Sequence, residues 1–379
     1  MDQHSQRNGT VDFLRFLFCC VIMLRHSEYA LPPGTFDFLK RGALCVEFFF
    51  LVSGYLMVCS AARRLQAPAL SGTGAETVSF MKRKLRTLLP TVPVAVVIAM
   101  LVTEISKHTT GLAGWGKAAM NAVWDFFMLP SAGFGWPTER WYISSMLLVM
   151  LAFYPILIKH FDAFVKVIAP LIAVFILGWI YRNYKELISP YLYLGHMYKG
   201  HLRAIGEIAL GAALFPLIRR FSELRLNKIA KAAVTCAEVL CAAGSVALMA
   251  TVKSKDFDYL VLLLMAILVV LTFSHQGIAA DAMDRCRLNF TLGRISLPLY
   301  LSNVWVSQAI GRYYTRLTEA GFLGLGADPQ ANKLKMLALY LVCVVIATAA
   351  VYLVSALLRK LKGPLRKFAD RHVMETPAA

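Results

Sequence analysis

The chain has 379 residues, of which 58% are apolar and only 16% charged, against roughly 25% charged in an ordinary soluble protein. The apolar residues gather in long, nearly uncharged blocks and the mean hydropathy is +0.59, which excludes a secreted or cytosolic enzyme. The net charge of +18 comes from short Lys and Arg clusters between those blocks, which is the layout of membrane loops and excludes a nucleic-acid reader.

The first apolar block starts near Val11, after a short polar tail, and is followed by Glu28 and Pro32-Pro33 instead of a small-residue cleavage site. It is therefore expected to be a membrane helix. A spanning helix needs about 20 mostly apolar residues. On that basis spans are expected at 10–28, 43–61, 87–105, 141–159, 164–182, 203–219, 230–251, 258–275, 293–312 and 335–358. The fourth and fifth are separated only by Lys159-His160-Phe161-Asp162 and should form a tight hairpin. A short apolar piece around Val123–Leu129 is too short to span and is expected to lie at the surface or re-enter within the loop 106–140.

With the N-terminus inside, the inner segments hold 23 Lys and Arg and the outer loops 15. An excess of this sign puts both termini in the cytoplasm. The expected fold is an all-α polytopic membrane protein of about ten transmembrane helices. One domain covers 1–360, and a short basic tail over 361–379 is expected on the anionic inner leaflet. Seven of the eight cysteines lie in or beside apolar blocks, where free thiols pack as small hydrophobes.

Polar residues inside spans are costly, so each is a functional candidate. Arg15 and His26 are eleven residues apart, about three turns plus 20°, so they share a face of the first helix roughly 16 Å apart. That spacing suits an extended ligand gripped at both ends. The plainer alternative is that Arg15 snorkels to one interface and His26 sits at the other. Glu47, followed by Phe48-Phe49-Phe50-Leu51, needs a partner. His26 in the adjoining span is the expected one, and an interfacial ion pair with Lys40 or Arg41 is the alternative. His196 and His201, expected in an outer loop, are spaced poorly for a metal pair. Trp115, Trp124, Trp136, Tyr191 and Tyr193 read as interfacial aromatics.

Taken in order, these residues resemble the acyltransferase-3 family of integral membrane acyltransferases. The resemblance begins with Arg15, ten residues, then His26. It continues through the run Cys45-Val46-Glu47-Phe48-Phe49-Phe50-Leu51-Val52-Ser53-Gly54-Tyr55. Arg83 and Arg86, leading to Pro90, resemble the family's Arg-x-x-Arg segment. Arg140-Trp141-Tyr142-Ile143 resembles its entry to a middle span. Leu292-Gly293-Arg294-Ile295-Ser296 with Leu299-Tyr300-Leu301 resembles its late signature. The chain departs from the pattern at Ser144, Ser145 and Met146, where many members have a Glu nearby, and at Asn303, where many have a His. Roles attached to those two positions do not carry over.

The resemblance implies acyl transfer, acetyl being the commonest case, from cytoplasmic acyl-coenzyme A to a hydroxyl of an envelope or surface glycan. It implies His26 as general base with Glu47 behind it. Arg15, Arg83 and Arg86, with Ser53, fall on the donor side, and Trp141, Tyr142 and Asn303 are acceptor-side candidates. No permanently bound cofactor or metal is expected. The expected partners are acyl-coenzyme A, a free or lipid-linked glycan and the bilayer, in a bacterial plasma or inner membrane. A transporter or flippase using the same buried Arg, His and Glu is the alternative from a different class, although no internal repeat supports it.

Overall fold

The computed structural model describes residues 7–31, 38–67, 72–130, 134, 138–195 and 197–374, with side chains as far as Leu361. Pro32-Pro33, Trp136 and His196 lie outside the described residues. Among the described residues the regular structure is helical, apart from one isolated antiparallel bridge between Tyr193 and Tyr198. Apolar blocks of this length fold as helices because a helix satisfies every backbone N–H and C=O within its own segment, which lipid cannot do.

In chain order, α1 (Gly9–His26) leads through a 3-10 turn, Ser27–Ala30, towards α2 (Cys45–Leu65). The amphipathic α3 (Thr73–Leu88) bends by 47° into α4 (Val92–Ser106), across a break containing Pro90. Next come α5 (Gly111–Phe126) and α6 (Trp141–Lys159), then a single turn α7 (Phe161–Ala163) that continues as a π segment, Phe164–Ile168, into α8 (Ala169–Tyr184). They are followed by α9 (Lys199–Ala213), α10 (Phe215–Ser222), α11 (Lys228–Thr251), α12 (Phe257–Ser274), α13 (Ala280–Arg285), α14 (Arg287–Glu319) and α15 (Pro329–Met374).

Among the described residues, seven helices are long and apolar enough to cross a membrane, or eight if the bent α3–α4 pair is one span. The expected ten included 10–28 and 293–312. Both segments are helical, in α1 and within α14, but α1 carries three charged residues and the middle of α14 is diluted by Ser296, Ser302, Asn303, Ser307 and Gln308, so neither counts on composition. Asp12, Arg15 and Arg25 lie in α1, and Arg294 and Arg312 in α14. These two polar helices pack along one another, so each gives the other's polar groups a protein environment. The short apolar piece expected at 123–129 is the last turn of α5, a sixteen-residue helix ending at Phe126, and the three residues that follow it. His201, expected in a loop, lies in the first turn of α9.

The start of α1 is pinned by its cap. Asn8 Oδ1 accepts from the Val11 N–H at 2.9 Å, its Nδ2 donates to the Thr272 carbonyl at 3.1 Å, and the Gly9 N–H donates to Asp284 Oδ1 at 2.7 Å. Further along the chain, Arg64 forks onto both oxygens of Glu76 at 2.6 Å and ties the end of α2 to α3. Phe80 of α3 then stacks on Tyr154 of α6 at 4.0 Å.

The Ser53-Gly54 step has a packing reason of its own. A Cβ at Gly54 would lie 2.1 Å from the Ile208 carbonyl oxygen, and one at Gly211 would lie 2.1 Å from the Leu51 carbonyl oxygen. Helices α2 and α9 therefore meet backbone to backbone through reciprocal glycines, the small-residue contact that membrane helices use. Gly54→Val should force the pair apart and cost about 1–3 kcal/mol or more. The thermal melt of the detergent-solubilised protein checks this. An unchanged melt would show that the two helices are free to separate there.

Candidate active site

The polar residues of α1 and α14 build the site. His26 Nδ1 lies 2.6 Å from Asn303 Oδ1. The Asn303 amide donates both ways along its own helix, to the Leu299 carbonyl at 3.2 Å and the Tyr300 carbonyl at 2.7 Å. With its hydrogens committed there, Asn303 presents its oxygen to the ring. Nδ1 therefore carries a proton, and in the neutral ring the lone pair is on Nε2. The surroundings hold this geometry in place. Ser307 Oγ donates to the His26 carbonyl at 2.6 Å, and the Tyr340 hydroxyl donates to the carbonyls of Met23 at 2.9 Å and Asn303 at 3.3 Å. Tyr29 stacks on the imidazole at 5.9 Å. Helices α1, α14 and α15 are thus joined around one ring.

Glu47 is not the partner of His26. It is fully buried, and Arg203 Nη2 donates to its Oε2 at 2.5 Å. The same guanidinium reaches Glu207 at 3.4 Å and sits over the Trp141 ring at 5.3 Å. The interfacial alternative, a pair with Arg41, is not formed either, because Arg41 is bonded to Asp258 at 2.5 Å. The reason is one of direction: Glu47 lies on the face of α2 that packs against α9, whereas His26 faces α14. Charge balance then selects the buried arginine.

The aromatic residues after Arg140 form a layer beside the site. Tyr142 packs on Phe50 at 4.8 Å and meets Tyr300 edge to face at 5.9 Å, while Trp141 packs on Phe50 at 5.8 Å. Tyr300 is one turn from Asn303, and its hydroxyl donates to the Glu139 carbonyl at 2.5 Å. Burial pushes the Glu139 carboxyl above the usual carboxylate range. The Ser53 hydroxyl points to the Met146 thioether at 3.2 Å, which the Tyr142 hydroxyl also approaches at 3.7 Å.

Of the residues expected on the donor side, the Arg15 side chain is 33% exposed and 3.5 Å from Asp12. It lies within electrostatic reach of the Tyr142 hydroxyl and of Lys84. Arg83 and Arg86 are exposed on α3, and Arg83 donates to Ser79 Oγ at 2.8 Å. The structure thus groups His26 with Asn303, Tyr29 and Ser307, and sets Ser53 beside Tyr142 through Met146. It separates Glu47 from that group.

Several residues escape the sequence reasoning, Tyr29, Ser307 and Tyr340 around His26 among them. Arg203 and Glu207 are charges within an expected span, and that signal alone makes them candidates. Lys84, whose ammonium lies over the Phe80 ring at 5.7 Å, is masked by its cationic neighbours. Ser145, whose hydroxyl lies 3.0 Å from His201 Nδ1, has no signal in sequence because its partner is 56 residues away.

No curated protein and no solved structure matches the chain. The model of the acyltransferase-3 family, described as an acyltransferase domain, matches residues 8–357, nearly the whole length. That match includes α1, the 3-10 turn Ser27–Ala30 that follows it, α2, α6 and α14, which carry the His26 group and the aromatic layer. The chain belongs to the acyltransferase-3 family of integral membrane acyltransferases.

Proposed function

We propose that the protein moves an acyl group, acetyl first among candidates, from cytoplasmic acyl-coenzyme A to a hydroxyl of an envelope or surface glycan. The observation that carries this is the His26–Asn303 bond, with the Asn303 amide committed to two carbonyls. It fixes the neutral imidazole in the tautomer with Nε2 unprotonated, which is the form a general base requires. In the reaction the acceptor hydroxyl gives its proton to Nε2 while its oxygen attacks the thioester carbonyl. The tetrahedral adduct then expels the coenzyme thiolate, which recovers that proton from the imidazolium. The acceptor ends as an ester and the donor as a free thiol.

Arg15 and Lys84, with Arg83 and Arg86 on α3, supply cations for the donor's phosphates. The 16 Å or so along α1 between Arg15 and His26 is a span that a pantetheine arm can bridge. Trp141, Tyr142 and Tyr300 give the acceptor an aromatic wall. Glu47 acts through Arg203 as a positioning residue for Trp141. With both termini inside, the donor end faces the cytoplasm, and the protein is placed in a bacterial plasma or inner membrane.

The test is proteoliposomes with acetyl-coenzyme A inside and a glycan acceptor outside, followed for free thiol and for ester on the glycan. Solute uptake with no ester formed would replace this function with transport. Donor binding gives a second check. Arg15→Ala and Lys84→Ala should each weaken acyl-coenzyme A binding several-fold. Arg15→Lys should restore only part of it, because a point charge does not replace a planar fork. Unchanged affinity in all three variants would remove the donor assignment.

A further inference from the structure

A cavity of about 360 Å³ opens between the α7 turn with its π segment and α10, at the end of the bundle where α6 finishes in Lys159. Its floor is aromatic, Phe161 meeting Phe215 edge to face at 5.8 Å. Its rim is charged and carries one more cation than anion: Lys166, Arg219 and Arg220 against Asp162 and Glu223.

The pairs Lys166–Asp162 and Arg219–Glu223, at 2.8 and 3.5 Å, join side chains that are all at least 64% exposed. Exposed pairs hold weakly, so these cations are available to an outside anion. The helix is locally widened here. The π segment Phe164–Ile168 supplies Val165 and Lys166 to the lining, and single π turns of this kind are frequent at functional sites.

Two candidate spans meet at this cavity, one beginning at Phe161 and one ending at Ser222. Close to the rim they turn Val167, Leu171 and Leu217 outward, each at least 50% exposed. A cationic rim at headgroup level, continuing into an apolar outer surface on the same helices, fits an amphiphile better than a free nucleotide. We propose that this cavity binds the phosphate headgroup of an anionic phospholipid, with the acyl chains lying along Val167, Leu171 and Leu217. It is a site apart from the His26 group, built from helices that group does not use.

The experiment is native mass spectrometry of the full-length protein in detergent, titrated with phosphatidylglycerol or phosphatidylcholine. The protein should retain phosphatidylglycerol selectively. The triple variant K166Q/R219Q/R220Q should bind it about ten- to a hundredfold more weakly, since each basic residue near an anionic surface contributes roughly fivefold. All three positions are exposed, so its melt without added lipid should match wild type. Arg359→Gln with Lys360→Gln, on α15, should leave retention unchanged. Glu223→Lys should increase it.

Equal binding of the two lipids, or unchanged phosphatidylglycerol affinity in the triple variant, would overturn the proposal. Equal loss in the α15 control would overturn it too, by showing that general charge is responsible. Displacement of the lipid by free coenzyme A at matching concentration would instead assign the cavity to the donor.

Discussion

His26→Ala lowers acyl transfer by about 10²–10⁴-fold, the contribution of a general base, and leaves acyl-coenzyme A binding within a few-fold of wild type. The two readouts separate because the phosphate cations lie about three helical turns from the ring. Asn303→Leu should give a smaller loss, about tenfold, confined to kcat: the ring stays in place but nothing selects the tautomer that frees Nε2. If His26 only packed against α14, both variants would change activity by a few-fold at most and would act through stability. Measuring ester formation, donor binding and the melt on the same preparations decides between the two. Retained acylation in His26→Ala removes the base.

The second large effect is on folding. Glu47, Arg203 and Glu207 are buried together, and the pairing of Arg203 with Glu47 is the shorter contact. Removing one member of a buried pair strands the other charge and costs about 3–5 kcal/mol. Arg203→Ala should be the more damaging change because it leaves two carboxylates facing each other across α2 and α9. Glu47→Ala should follow, with Glu47→Gln mildest, since the amide oxygen still accepts from Arg203 while Glu207 balances the charge. These losses should appear in the melt and in the yield of folded protein. The opposite pattern, normal stability with a lowered kcat in Glu47→Gln, would show that Glu47 serves the position of Trp141 and not the fold. A normal melt for Glu47→Ala would show that the triad does not hold α2 against α9.

The two halves of the opening motif illustrate how far the residues alone carry the argument. Arg15 and His26 share a helix, and helical geometry is local, so their common face and spacing follow from counting; α1 runs unbroken between them. The pairing of His26 with Glu47 also looked sound, as two unlike polar groups in consecutive spans. It fails because a helix face is assigned by neighbours distant in sequence. Asn303 is 277 positions from His26, and Arg203 is 156 from Glu47. Nothing between them in the chain announces either contact.

The count of spans shows the same division. Hydropathy finds the helices whose whole surface is apolar, because insertion into lipid depends on summed composition. It is a weak guide to α1 and α14, whose polar residues His26 and Asn303 are paired with each other. The amino-acid sequence by itself determined the membrane class, the helical architecture, the family and the two ends of the candidate site on α1. Only the tertiary structure decided which partner orients His26, that Glu47 belongs to Arg203, and that the Lys84 ammonium lies over the Phe80 ring. The physical reason is that burial and charge pairing are settled between helices, after each helix has already formed.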